Sequence, residues 1–165
     1  MKCIICGKGG QGVISLNYAL GSLAVKLGYQ TMSSETHGLA IRGGSVITTL
    51  AIGKYASASI GKGMANLLLS TDISETIINA DFLAAKGVLI TDGYSDDLSQ
   101  FETYFLNTRQ LAQEKFGSSI HAVSILLGKT ISRFSEVFNI DKSKDILYND
   151  RKINFDALTF GLETI

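Results

Sequence analysis

The sequence of 165 residues contains no proline, no tryptophan, only two cysteines and no excess of either charge. Fifteen Lys and Arg balance fifteen Asp and Glu, so the formal net charge is zero. Binding to nucleic acid through its phosphates requires a basic excess, and the balance therefore argues against that function. No apolar run approaches the ~20 residues of a membrane span, and the N-terminal segment does not resemble a signal peptide. We expect a cytoplasmic protein with no role at a membrane.

The length and the composition predict a single folded domain over residues 1–165. Hydrophobic residues make up 45% and charged residues 18% of the chain, which is typical of a protein with a real core. A neutral chain of high apolar content has low colloidal stability on its own. The composition therefore also indicates a protein partner.

The two cysteines, Cys3 and Cys6, have the C-x-x-C spacing that elsewhere marks metal or redox sites. They lie in a short apolar run, residues 2–6, which predicts a buried strand. Residues three apart in a strand are about 10 Å from each other and point to opposite faces, so a disulfide between them is excluded. Two ligands are also too few for a tetrahedral zinc ion or an iron–sulfur cluster. We expect both thiols to be packed in the core.

Seventeen glycines must supply the backbone geometry of turns and close contacts. Gly7 to Gly12 form a loop after the first strand, and apolar residues at helical spacing follow as far as Leu27, before Gly28 ends the helix. A second strand is expected at residues 29–33. This strand, loop, helix and strand have the length of a βαβ unit and predict a parallel sheet.

The remaining chain predicts further strands and then a helical C-terminal part. Strands are expected at residues 45–52, 55–60, 67–69, 87–91 and 104–106. Helices are expected at residues 74–85, 108–116, from 118 or 119 towards 134, and 154–163. The polar stretch 141–152 is expected to be a surface connection. The predicted fold is a single Rossmann-like, three-layer α/β domain with a mostly parallel sheet.

The loop after the first strand fits the pattern G-x-G-x-x-G through Gly7, Gly9 and Gly12. Glycines allow the backbone to approach a ligand, and free amides at a helix N-terminus attract an anionic phosphate or carboxylate. Glu35, after the second strand, stands where a ribose-binding acid is found in dinucleotide-binding proteins. The pattern allows two interpretations: dinucleotide binding, or close packing of the helix against the sheet.

A second polar segment, residues 34–45, holds an acid, an imidazole and a guanidinium close together: Glu35, His37 and Arg42. It follows a strand, and ligand sites of open α/β sheets lie at the carboxyl ends of strands. Arg42 is suited to clamp a phosphate or carboxylate, and His37 to transfer a proton or donate a hydrogen bond. An ion pair that shapes the loop and a contact with another chain are the alternatives.

Two other motifs are expected to carry no chemistry. The tripeptide Gly128-Lys129-Thr130 imitates the end of a phosphate-binding loop, but Val123 occupies the position of the required glycine and the segment predicts a helix interior. Asp92, Asp96 and Asp97 follow a strand without the spacing of a calcium loop, so we expect a solvated turn.

Two glycine-rich segments together carry a family resemblance. The sequences Gly9-Gly10-Gln11-Gly12-Val13, Glu35-Thr36-His37-Gly38 and Arg42-Gly43-Gly44-Ser45-Val46 resemble the gamma subunit or gamma domain of the 2-oxoacid:ferredoxin oxidoreductases. These are the pyruvate, 2-oxoglutarate, branched-chain oxoacid and indolepyruvate enzymes. The resemblance continues through residues 65–69, 126–128 and 154–158, and so covers nearly the whole chain. The chain departs from the family at Ile41, where a glutamine is usual.

The resemblance implies a subunit, without catalytic residues of its own, of an enzyme that oxidatively decarboxylates a 2-oxoacid to an acyl-CoA. It implies that ferredoxin accepts the electrons and that thiamine diphosphate and iron–sulfur clusters belong to the alpha and beta subunits, and to a ferredoxin-like delta subunit where one is present. This chain would bind no metal or cofactor alone, and would support assembly and access of the co-substrate coenzyme A. The resemblance suggests these ligand or subunit contacts: Gly7, Gly9, Gly10, Gln11, Gly12, Glu35, His37, Gly38, Arg42, Gly43 and Gly44.

Two functional alternatives remain open from the residues. A freestanding Rossmann-type oxidoreductase or sensor would use Gly7, Gly9, Gly12 and Glu35 to bind NAD or a flavin. A purely structural subunit would bind partners strongly and bind no ligand.

Overall fold

The structure, a computed structural model, describes residues 1–37 and 43–164, without the side chains of Thr36 and His37. Its strands are β1 Lys2–Lys8, β2 Thr31–His37, β3 Ser45–Ile52, β4 Ala65–Ser70, β5 Leu83–Asp92 and β6 Glu102–Leu106. Its helices are α1 Val13–Lys26, α2 Ile73–Asn79, α3 Thr108–Phe116, α4 Ala122–Arg133, α5 Ser135–Phe138, α6 Ile140–Tyr148 and α7 Phe155–Glu163. Gly38, Ile41 and Arg42 lie outside the described residues.

The six strands form one sheet in the order β2-β3-β1-β4-β5-β6. The strands β1, β4, β5 and β6 are parallel neighbours, whereas β3 runs antiparallel to both β1 and β2. The predicted α/β fold with a mostly parallel sheet is therefore confirmed. The first two strands run in the same direction, as a βαβ unit requires, but they are not neighbours because antiparallel β3 lies between them. Residues 38–44 are too few for the parallel crossover of about a dozen residues, so β3 must turn back along β2.

Helices cover both faces of the sheet and make three layers. On one face Cys3 and Ile5 of β1 share an apolar cluster with α1 and α4, and on the other Ile4 and Cys6 pack in the cluster that Ile73 of α2 joins. Both thiols are free and buried, and burial raises the pKa of each to about 12. The expectation of two packed core thiols on opposite faces is confirmed.

Three local expectations are wrong, each because contacts with distant parts of the chain outweigh the local sequence pattern. Residues 55–60 form no strand, since both edges of β3 are already paired with β1 and β2. The helix expected at 74–85 is interrupted after Asn79, because Leu83 pairs with Ala65 at the start of β5. The polar stretch 141–152 contains most of α6, whose buried Ser143 and Leu147 lie one helical turn apart.

Of the helices in the described ranges, none combines the length and the apolar character that a membrane crossing requires.

Candidate functional site

The carboxyl ends of four parallel strands meet at one edge of the sheet and surround a cleft of about 420 Å³. The loop after β1 contributes Gly10 to Gly12, Thr71 follows β4, Asp92 ends β5, and Thr108 follows β6. The N-terminal ends of α1, α3 and α4 complete the walls. Ligands of open α/β sheets bind at such an edge, so the cleft is the candidate site.

Two glycines of the first loop are required by their surroundings. A Cβ on Gly7 would clash with the Thr71 hydroxyl, which crosses over the end of β1. Gly12 caps the N-terminus of α1 at φ 88°, a conformation that favours glycine, and a Cβ there would clash with Val123 of α4. Gly7 therefore lets Thr71 cross the end of β1, and Gly12 lets α1 and α4 approach each other beside the cleft.

Gln11 braces the same loop from inside. Its Oε1 accepts hydrogen bonds from the Lys8 amide at 2.9 Å and from the Thr71 hydroxyl at 2.8 Å, and its Nε2 donates to Asp72 Oδ2 at 3.1 Å. These bonds fix the orientation of the side-chain amide, because its oxygen faces two donors and its nitrogen faces a carboxylate. Gln11 therefore lines the cleft and also holds the backbone of the loop in place.

Asp72 is a residue that the sequence reasoning missed. It caps α2 by accepting from the Ser74 amide at 3.1 Å, and its carboxylate lies 3.5 Å from the Lys8 Nζ. Partial burial raises the pKa of Asp72, but the hydrogen bonds from Ser74 and Gln11 and the charge of Lys8 outweigh burial and hold that pKa at about 2. The available signal was an acid three residues after the predicted buried strand at 67–69, followed by helical spacing.

The structure brings the two glycine-rich segments together. The Gly9 amide donates to the Gly44 carbonyl oxygen at 2.8 Å, and a Cβ on Gly9 would lie 3.4 Å from the Gly43 nitrogen. The next residue, Ser45, donates from its hydroxyl to Glu75 Oε2 of α2 at 2.6 Å. Both segments therefore contact each other and contact α2.

The other predicted site residues lie away from this contact or outside the described residues. Glu35 is exposed on β2 and pairs with Thr48 of β3, which in turn pairs with Ile5 of β1. His37 is the last residue of β2, and its backbone pairs with Val46. A dinucleotide-binding fold places its ribose-binding acid on the parallel strand next to β1. Because antiparallel β3 occupies that place, the dinucleotide interpretation of Glu35 is not favoured.

Asp92 and Arg109 form the opposite wall of the cleft. Asp92 Oδ1 accepts from the Thr108 amide at 2.8 Å, and Arg109 Nε lies 3.9 Å from Asp92 Oδ2. Burial raises the pKa of the Asp92 carboxyl against the opposing effects of Thr108 and Arg109. The expected solvated turn is thus wrong for Asp92, whose strand end sits beside β6 and α3, and right for the exposed Asp96 and Asp97.

The cleft has the positive N-terminal end of α1 on one side and an apolar wall on the other. Within the described residues no side chain caps α1, and the first turn of α1 contains no acid, so no side chain of this turn neutralises the positive end of the helix dipole. Ile120, Val123 and Leu126 line the cleft from the α4 side. Such an arrangement is suited to bind a ligand with an anionic group and an apolar part. In the part of the chain that the structure describes, no three metal-ligating side chains are grouped to hold an ion.

Comparison with known proteins gives a family match over nearly the whole chain. The model of the family described as pyruvate ferredoxin/flavodoxin oxidoreductase matches residues 2–158. Indolepyruvate oxidoreductase subunit IorB of Methanothermobacter thermautotrophicus is 41% identical over 73 residues, 44% of this chain and 37% of that protein. The subunit of the same name from Pyrococcus horikoshii is 33% identical over 90 residues, 54% of this chain and 45% of that protein. These matches span less than half the length of either curated relative.

Solved structures share the fold. The gamma subunit of a keto/oxoacid ferredoxin oxidoreductase from Geobacter sulfurreducens superposes with a TM-score of 0.77 at 22% identity, over 98% of this chain and 96% of that one. The 2-oxoglutarate:ferredoxin oxidoreductase of Magnetococcus marinus, solved with 2-oxoglutarate, coenzyme A and succinyl-CoA, gives a TM-score of 0.75 at 17% identity. That match covers 99% of this chain and 29% of the longer one.

Proposed function

Because the chain belongs to the pyruvate ferredoxin/flavodoxin oxidoreductase family, we propose that it is the gamma subunit of a multi-subunit 2-oxoacid:ferredoxin oxidoreductase. The complex would decarboxylate a 2-oxoacid, transfer the acyl group to coenzyme A and pass the electrons to ferredoxin. The family match over residues 2–158 carries this proposal. The named relatives, which are oxidoreductase subunits, support it.

The division of labour that we propose leaves the redox chemistry to partner subunits. Alpha and beta subunits, with a ferredoxin-like delta subunit where one is present, would bind thiamine diphosphate and the iron–sulfur clusters. Cys3 and Cys6 support this division, because both are buried and point to opposite faces of the sheet, where they cannot share a cluster.

Contacts with these partners would use the exposed edge of the sheet. The edge strand β2 exposes residues 32–35, and the polar segment that follows it joins the first glycine loop through Gly44. We propose that Glu35, His37, Gly38, Arg42 and Gly43 form this contact. An exposed edge strand requires cover, and a partner subunit would supply it.

We propose that the cleft binds the nucleotide end of coenzyme A. Its diphosphate would bind the N-terminal amides of α1, after Gly12, and the guanidinium of Arg109. Ile120 and Val123 would contact its apolar and aromatic parts. When bound, coenzyme A supplies the thiol that takes up the acyl group, and this chain would hold and orient the nucleotide end.

The 2-oxoacid is proposed from the relatives. The curated relatives named above act on indolepyruvate by name, and solved neighbours include an enzyme named for 2-oxoglutarate. Assays should therefore begin with indolepyruvate and continue with 2-oxoglutarate and pyruvate.

The proposal is tested by purifying the tagged chain anaerobically from its own source. We expect larger chains to co-purify with iron and thiamine diphosphate, and the complex to reduce ferredoxin with a 2-oxoacid and coenzyme A. A chain that purifies alone, without iron, thiamine diphosphate or activity, would contradict the proposal. Titration of that chain with NAD(H), FAD and coenzyme A would then separate a nucleotide-binding protein from a purely structural one.

A further inference from the structure

One turn of α2 contacts both glycine-rich segments. Asp72, which caps α2, accepts from Gln11 of the first loop, and Glu75, three residues later, accepts from Ser45 beside the second. Residues three apart at a helix start lie on the same side of it. The two carboxylates therefore point at two different segments from one rigid turn.

We infer that the first turn of α2 fixes the relative position of the two glycine-rich segments, with Asp72 holding the first through Gln11 and Glu75 holding the second through Ser45. The hydrogen bond from the Gly9 amide to the Gly44 oxygen also joins the two segments directly. Each segment is thus restrained at two points, by the other segment and by α2. Asp72 and Glu75 are positioning residues in this arrangement and need not touch a ligand.

The turn is suited to this role because it is anchored to three central strands. The Thr71 amide donates to the Cys6 oxygen of β1 at 3.0 Å, which joins the end of β4 to the end of β1. In α2, the Thr76 hydroxyl is hydrogen-bonded to that of Thr91 in β5 at 2.7 Å. A turn held to the sheet in this way transmits its position to whatever it binds.

The burial of Glu75 makes its hydrogen bond important. Glu75 is only 6% exposed, and a carboxylate removed from water requires hydrogen-bond donors. The Ser45 hydroxyl supplies one at 2.6 Å. Ser45 itself is exposed, so its side chain can be removed without opening the core.

The direction of the bond between Gln11 and Asp72 provides a sharp test. Gln11 Oε1 is committed to the Lys8 amide and the Thr71 hydroxyl, so only an acceptor at position 72 satisfies its nitrogen while also capping α2 at Ser74. In Asp72→Asn, one amide would have to turn, and either the Lys8 or the Ser74 amide would lose its acceptor. In the double variant Gln11→Glu with Asp72→Asn, the carboxylate and the amide exchange places. The bond between the two side chains then forms in the reverse direction, and the Lys8 and Ser74 amides keep their acceptors.

The first measurement is amide hydrogen exchange by NMR on the full chain. We expect Asp72→Asn to speed exchange at Lys8 or Ser74 about tenfold, and the reciprocal double variant to restore it. We expect Ser45→Ala to speed exchange at Gly9 by a similar factor, whereas Ser135→Ala, at an exposed serine of α5, should not. Unchanged exchange in both Asp72→Asn and Ser45→Ala overturns the inference, and a folded double variant that restores nothing overturns the Asp72 part.

The second measurement rests on the proposed function and is made on the assembled enzyme. Displaced glycine segments should raise the KM for coenzyme A in Asp72→Asn with kcat little changed, and the double variant should return the KM to its original value. A purely structural role would instead lower the yield of complex without changing the KM of what remains. If exchange changes as expected and the KM does not, α2 still positions the segments and the coenzyme A role of the cleft is wrong.

Discussion

Gly128 and Gly161 lie against each other where α4 crosses α7, and the Cβ that Gly128 lacks would be 3.0 Å from the carbonyl carbon of Gly161. That Cβ would also clash with the carbonyl oxygen of Leu158. A Cβ on Gly161 would in turn clash with the carbonyl oxygen of Ile125. The two helix backbones are therefore in direct contact. This explains the tripeptide that imitates a phosphate-binding loop: its glycine lies in a helix interior and serves packing, as its sequence context predicts.

Gly128→Ala should destabilise the chain, since backbone atoms of α7 cannot move aside as a flexible side chain can. We expect a loss of about 1–3 kcal/mol in the free energy of unfolding, measured by urea denaturation of the full chain. Lys142→Ala, at an exposed position of α6, is the control and should stay within about 0.5 kcal/mol. Equal midpoints for the two variants would contradict the close crossing of α4 and α7.

Asp72 should make stability depend on pH in the acid range. Its pKa is held at about 2 in the folded chain, below its ordinary value near 4, so its stabilising effect is complete above about pH 4. The effect is lost as the pH falls from about 4 to 2, because the unfolded chain takes up the proton first. The urea midpoint of the unaltered chain should therefore fall over this range more steeply than that of Asp72→Asn. Parallel curves would show that Asp72 is not paired as described.

If the cleft binds coenzyme A as proposed, Arg109→Ala should weaken that binding in the assembled enzyme. Loss of a charge-assisted hydrogen bond to phosphate should raise the KM for coenzyme A about tenfold, with kcat nearly unchanged, in steady-state assays of the purified enzyme. Lys86→Ala removes a positive charge from an exposed position near the start of β5, at the opposite end of the strand from Asp92, and should leave the KM unchanged. An unaltered KM in Arg109→Ala would show that the cleft is not the nucleotide site.

Cys3 and Cys6 should be unreactive in the folded chain. Burial raises the pKa of each thiol to about 12, so the thiolate that attacks a disulfide reagent is scarce and inaccessible at neutral pH. Titration with a chromogenic disulfide should detect no thiol before denaturation and both thiols after it. Ser135→Cys, an exposed thiol on α5, is the positive control and should react at once. Rapid labelling of the unaltered chain would mean that β1 is not the buried strand described.

The candidate site shows where prediction from the sequence reaches its limit. Gly9 and Gly44 were both identified from their motifs, yet only the folded sheet shows that the amide of one bonds the carbonyl of the other. The sequence predicts a solvated turn at Asp92 because it follows a strand, with Asp96 and Asp97, without the spacing of a calcium loop. Its neighbours in space, Thr108 and Arg109, follow a different strand and bring it into the cleft.

The sequence by itself determined the elements whose causes are local. The apolar run with Cys3 and Cys6 predicted a buried strand, helical spacing and Gly28 delimited α1, and residues 45–52 and 108–116 were assigned their strand and helix with the observed bounds. Only the tertiary structure decided that β3 separates β1 from β2, and that Asp72 and Glu75 hold two distant glycine segments. Hydrophobic periodicity and turn-forming residues act over a few neighbouring residues, so they can be read directly from the sequence. Strand adjacency and hydrogen bonds between remote loops depend on how the whole sheet closes its core, which no short stretch of sequence contains.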